Sequence, residues 1–378
     1  MVWQSRKLTR RSMLRRLGAG AVVVAAGAAL FNEKTAFAAT PAAAAASTET
    51  VAAAPRRPAD PNRASTLIVR PAPGATLAQI NAKFGTRTVL SFSGSNQGMD
   101  MAVVSSPRVL LTFAQMRHDK KLVAWVELNS KVWTPRRKRP GTGGVGADDD
   151  SGSEDDSGSE GSSLGASHGT AVAGVALLAA PDAKILPIRV LGDDGLGTTA
   201  LVCEGILRAA MMGAKVINLS LSTSTPSMAL AFAVSFACQL GAVVVAAYGN
   251  KGQQNPRVFP ADLPNVIAVA ATDKNDKRAS FSNHGQPADV GAPGVDIVGP
   301  YGPGGYVIAN GTSFATPLVA GQAALLLSKP GGIPALNVPP AQKSAAMTNL
   351  LIASGVNIAG PNGGDPGFVR VDVAHSLI

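Results

Sequence analysis

Three side chains have the chemistry for acyl transfer. Ser313 stands in "NGTSFATPLVAGQAALLL", residues 310 to 327, directly after Gly311-Thr312 and at the head of an apolar, helix-forming run. A helix start offers unpaired N–H groups and the positive end of the dipole, which favour negative charge developing beside the hydroxyl. Pro317 fits there because the early N–H groups have no intrahelical partner. A serine in this place also caps helices. His168 opens "HGTAVAGVALLAA", so its imidazole is expected at a helix start, with Gly169 permitting close approach. It reads either as a general base or as a core histidine. Asn250 ends the strand-like "AVVVAAYGN"; its amide can donate into a strand-end pocket or simply make the turn.

The elements that must hold these groups follow from hydrophobic pattern. From residue 167 onward, strands ("AKILPIRVL", "AKVINLSLS", "AVVVAAYGN", "NVIAVAATD", "PADVGAPGVDIVG") alternate with small-residue helices ("TTALVCEGILRAAMMG", "SMALAFAVSFACQLG"). That alternation predicts an α/β fold with a mostly parallel sheet covered by helices on both faces. Active groups then collect at strand ends and helix starts. Residues 66 to 133 instead read strand, helix, strand, strand, helix, strand, the order of a small ferredoxin-like α+β unit.

The chain of 378 residues is 46% hydrophobic, enough to bury a sizeable core. Its net charge of +10 is concentrated at one end, since residues 1 to 38 carry seven cations against one carboxylate. The remainder is too weakly basic to argue for a nucleic-acid partner. Those first 38 residues have the pattern of an export leader: Arg10-Arg11, the apolar run "LGAGAVVVAAGAAL", and the small-x-small site Ala36-Phe37-Ala38. The twin arginine is similar to a bacterial Tat signal. The run is short and Ala/Gly-rich for a membrane span, so no stable span is expected after cleavage. Residues 39 to 65 read as an Ala/Pro-rich linker. Residues 134 to 166 hold the basic block "PRRKRP", a Gly-rich stretch, and "DDDSGSEDDSGSE" with seven acidic residues in thirteen positions. This run is a solvated linker or, alternatively, a hard-oxygen site for a structural Ca2+. Cys203 and Cys238 lie in apolar helical segments, as buried thiols or as an oxidised pair.

The ordered set "HGTAVAG", "INLSLS", "AAYGN" and "GTSFATP", continued by "FPADLPNVIAVAATDKNDKRASFSNHG", "DVGAPGVDIVG" and "GFVRVDVAHSL", resembles the subtilisin-like serine peptidases, the subtilases. The resemblance covers residues 165 to 378. It implies a subtilisin-like peptidase domain over residues 167 to 378 that hydrolyses polypeptide substrates and needs no cofactor. Ser313 would be the nucleophile, His168 the base and Asn250 the oxyanion donor. Ser220, Leu221 and Ser222 would pair with an extended substrate. Tyr248 and Ser222, at positions where the family has small residues, would lie along the primary substrate pocket. Residues 66 to 133 would be a propeptide that inhibits its own peptidase.

One part of the pattern is absent. The family's aspartate ends an apolar strand shortly before the histidine, and no such strand precedes His168. Only Asp150-Ser151-Gly152 and Asp156-Ser157-Gly158 supply the short motif, both inside the acidic run. Asp150 is the candidate third member. The alternative is a non-catalytic relative that at most binds peptides.

Overall fold

The computed structural model describes residues 21–25, 66–92, 100–133, 161–193, 195–286, 288–301, 305–358 and 369–372; for 21–25 and 161–166 it describes the backbone alone. The twin arginine, the Ala36–Ala38 site, the 39–65 linker and the whole acidic run, with Asp150 and Asp156, lie outside the described residues. Two units form, one of residues up to 129 from Thr66 onward and one of the remaining described residues.

The smaller unit runs β2 (Thr66–Pro71), α1 (Leu77–Phe84), β3 (Arg87–Phe92), β4 (Met101–Ser105), α2 (Val109–His118), β5 (Val123–Leu128). Its antiparallel sheet has the order β3-β4-β2-β5. Alternating apolar residues of β2 and β4 meet Ile80 and Met116 from the two helices in one core. Thr76 and Gln79 close a reciprocal capping box at the start of α1.

The larger unit is built on an eight-stranded sheet of order β15-β16-β12-β11-β10-β9-β1-β7. Its strands are β1 (Ala21–Ala25), β7 (Lys184–Ile188), β9 (Val216–Leu219), β10 (Val243–Ala247), β11 (Val266–Thr272), β12 (Val290–Pro293), β15 (Val356–Asn357) and β16 (Val369–Arg370). All neighbours are parallel except β15 and β16. Strands β9, β10 and β11 are buried throughout, which explains their unbroken apolar runs. Helices α3 (Gly161–Ala179) and α6 (Thr312–Leu327) pack on each other, and α6 packs on β9 to β12. Helices α4 (Thr199–Met211) and α5 (Met228–Gln239) pair with each other. The α3–α6 approach depends on Gly321, where a Cβ would stand 2.5 Å from the Ala176 carbonyl oxygen. Helix α7 (Lys343–Ser354) packs on β10 and β11. A short antiparallel ribbon joins β13 (Ile297–Tyr301) to β14 (Gly305–Ala309).

Two placements differ from the sequence reading. Helix α3 begins at Gly161, so His168 sits about two turns inside it rather than at its start. The sheet also gains a strand from an unexpected place: β1, from the apolar run assigned above to the leader, lies between the edge strand β7 and β9. "AVVVA" is β-branched at its three middle positions, a composition suited to a strand paired on both edges. Among the described residues no helix is long and apolar enough to cross a membrane.

Candidate active site

The site forms where β9, β10 and the start of α6 end together. After β9 the chain continues through Ser220, Leu221 and Ser222, all buried. Ser220 is bound into the fold by its hydroxyl, which donates to the Ser313 carbonyl (2.8 Å) and accepts from Asn218 Nδ2 (3.0 Å). Its own carbonyl oxygen faces the reactive groups. Ser313 Oγ donates to it at 3.5 Å, and His168 Nε2 lies 3.2 Å from it. Nucleophile and base candidates thus converge on one acceptor.

Helix α6 opens with Gly311 as N-cap and places Ser313 in its first turn, almost fully buried. Thr312 ties this helix start to the end of β10. Its N–H and its hydroxyl both donate to Asn250 Oδ1 (2.9 Å each), and its hydroxyl accepts from Gly249 N–H (3.0 Å). With Oδ1 engaged in this way, the Asn250 carboxamide turns its NH2 toward the helix start; an added Cβ on Gly311 would meet Nδ2 at 3.0 Å. Gly249 is required by its φ of +102°. Asn283, also buried, holds the segment from behind: Nδ2 donates to the Tyr248 carbonyl (2.8 Å), and Oδ1 accepts from the N–H groups of Lys251 (3.2 Å) and Gln253 (3.0 Å).

The electrostatics on the histidine side differ. Burial lowers the His168 pKa from 6.5 to about 4, opposed only by the hydrogen bond with the Ser220 carbonyl. A carbonyl oxygen can only accept, so this contact requires the Nε2–H tautomer. Phe314 packs its ring edge-on at 5.6 Å. Among the described residues no carboxylate contacts His168, and no group of three or more His, Cys, Asp or Glu could hold a metal ion.

A groove of about 310 Å³ opens beside Asn250. Along it runs β6 (Lys131–Trp133), antiparallel to β8 (Leu196–Thr198). Trp133 and Ser222 exchange both backbone hydrogen bonds, at 3.0 and 2.7 Å. The 131–133 segment therefore lies as an added strand between 196–198 and Ser222.

A model of the subtilase family, peptidase S8, matches residues 130–364. The chain belongs to the subtilase family. Among its relatives, thermitase of Thermoactinomyces vulgaris is 45% identical over 192 residues, covering 48% of this chain and 68% of thermitase. Subtilisin BL of Lederbergia lenta is 43% identical over 174 residues, 44% of this chain and 64% of its own length. The chain thus spans about two thirds of either relative. Among solved structures, the prenylagaramide maturation protease PagA superposes with a TM-score of 0.50 at 31% identity, covering 56% of this chain and 82% of that one.

In this subtilase the structure brings together Ser313, His168, Asn250 and Ser220 to Ser222. Tyr248 is fully buried, its hydroxyl donating to the Gln286 carbonyl at 2.5 Å, and it does not line the groove. Three participants lacked a sequence assignment. Thr312 was visible only as part of "GTSFATP", and Asn283 only as part of "SFSNHG". The β8 wall had a clue in "DGLGTT", a Gly-x-Gly stretch just before a Thr-capped helix.

Proposed function

We propose that this subtilase is an exported serine endopeptidase, made as a proenzyme and acting through an acyl-enzyme on Ser313. The observation that carries the reading is the convergence of Ser313 Oγ and His168 Nε2 on the Ser220 carbonyl, with the Asn250 carboxamide oriented at the same helix start. Ser313 Oγ attacks the scissile carbonyl while His168, as its Nδ1–H tautomer, takes the proton on Nε2. The oxyanion is met by the Asn250 amide and the first N–H groups of α6. The proton passes to the leaving amine, and water repeats the sequence on the ester. The reaction uses no cofactor; a structural Ca2+ would belong to the acidic run.

The strand position held by 131–133 supports extended polypeptides as substrates, since backbone pairing with Ser222 is independent of their side chains. The strand order β3-β4-β2-β5 of the smaller unit supports an inhibitory propeptide at residues 66–133, although 131–133 pair within the larger unit. The leader pattern of residues 1–38 supports export, whereas the pairing of 21–25 with β7 and β9 favours retention of that segment over its removal. Asp150 is our candidate for the group that orients His168.

A second reading, a non-catalytic relative that binds peptides, is favoured by the tautomer at His168 and by the absence of a carboxylate there among the described residues. Loss of the orienting aspartate lowers kcat of a subtilisin by about 3 × 10⁴, so the two readings predict measurably different proteins. Labelling by a fluorophosphonate probe separates them. An activated serine labels in the wild type, fails to label in Ser313→Ala, and labels more slowly in Asp150→Asn. An unlabelled, folded protein freed of residues 66–133 would establish the second reading.

A further inference from the structure

The groove beside Asn250 has an uneven charge. Its walls are Ser222 to Ser224 on one side, Gly249 to Lys251 on another and Pro256 to Val258 on a third. Among the described residues two cations line it, Lys251 and Arg257, and no carboxylate does. Arg257 is already ion-paired with Asp262 and stacked over Phe259 at 5.5 Å. Lys251 makes no ion pair among the described residues, and its backbone is fixed by Asn283 one residue from the oxyanion donor. The hydroxyl-bearing wall of Ser222, Thr223 and Ser224 can donate hydrogen bonds to an anion entering opposite.

We propose that this subtilase selects an acidic side chain at the substrate residue whose carbonyl is attacked, with Lys251 as the specificity-determining residue. The proposal rests on the peptidase reading above and names its substrate class. A carboxylate in the groove gains the Lys251 charge and the hydroxyl donors, whereas an ammonium meets the like charge of Lys251, Arg257 being already compensated by Asp262. Because Lys251 is exposed to solvent, the discrimination is moderate and screened by salt.

The test compares kcat/KM for three peptides that differ only in Glu, Gln or Lys at that residue, using protein first shown to label with the fluorophosphonate. Glu is expected to exceed Gln by about two- to fivefold, and Gln to exceed Lys by a similar factor. Both ratios should shrink at 1 M salt, and Lys251→Glu should invert their order. Labelled enzyme that cleaves all three peptides equally, or prefers Lys, overturns the proposal and leaves the peptidase reading standing. Absent labelling and absent cleavage of every peptide overturn both. Equal ratios in wild type and Lys251→Glu would show that Lys251 is not the determinant.

Discussion

Around Ser313 and Asn250, buried polar groups hold one another in place; around His168, they do not. Thr312 alone makes three hydrogen bonds, two to Asn250 and one to Gly249, that lock the end of β10 to the helix bearing Ser313, and Asn283 makes three more behind the strand end. Among the described residues the imidazole has one polar contact and a low-dielectric surround. Its Nε2 faces the Ser220 carbonyl oxygen, which can only accept, so this contact favours a donating Nε2–H. The Ser313–Asn250 half, the nucleophile half of the proposed site, is held by short-range pairing encoded in "GTS" and "YGN". The base half depends on a group outside that pairing, and its strand, β1, comes from "AVVVAAGAAL", which carries no carboxylate.

The largest effect expected concerns β1. A chain beginning at residue 39 loses five residue pairs with β7 and four with β9, which detaches the edge strand β7 from the sheet and uncovers the edge of buried β9. Unpaired buried backbone groups cost about 1–3 kcal/mol each, against a total stability of about 5–15 kcal/mol. Such a chain should lose its cooperative unfolding transition, measured by circular dichroism on heating. In the full chain, the amides of 22–25 should exchange slowly with deuterium. A stable 39–378 protein would mean that another segment fills the position between β7 and β9, and the comparison would shift to whether that segment brings a carboxylate.

Asn250→Leu tests the other half. If the Thr312 bonds orient the amide as the geometry indicates, the substitution should lower kcat by about 10² to 10³ with little change in KM, while Ser313 still labels. A loss below tenfold would show that the nucleophile half is no better organised than the base half.

The contrast also governs how much could be read from sequence. Ser313, Asn250 and Ser220 to Ser222 were legible because each ends an apolar strand or starts an apolar helix, a local pattern. The mostly parallel sheet followed from apolar strand runs such as β9 and β10 with a helix between them. The role of β1 was not legible: its run of small and β-branched residues fits a leader equally well, and pairing with β7 and β9 spans more than 150 positions of sequence. The place of His168 inside α3 was missed because "GSSLGAS" ahead of it has the Gly/Ser composition of a loop. Tyr248 was assigned to the pocket from its position in the chain, whereas strand alternation turns its ring into the core.

The smallest effect concerns pH and addresses the base half directly. A folded-state pKa near 4 for His168, against 6.5 unfolded, means the unfolded chain binds the proton first. This contribution to stability is present above about pH 6.5 and is lost as pH falls toward 4, by about 3 kcal/mol. Asp289 acts in the opposite sense. Burial raises its pKa from 3.8 to about 6, opposed by its hydrogen bond from the Ala268 N–H, so its carboxyl favours folding at low pH and loses that as pH rises through 6. The two slopes offset each other between pH 4 and 6.5. Chemical denaturation should therefore show little pH dependence from this pair in the wild type, a fall in stability on acidification in Asp289→Asn, and a rise in His168→Phe. Activity reads the same group separately. Without a carboxylate on Nδ1, the acid limb of kcat/KM should lie near pH 4, since His168 stays neutral down to that value. A limb at or above pH 6.5 would require an anion against the imidazole, and would place the third member of the triad in a segment such as the acidic run around Asp150.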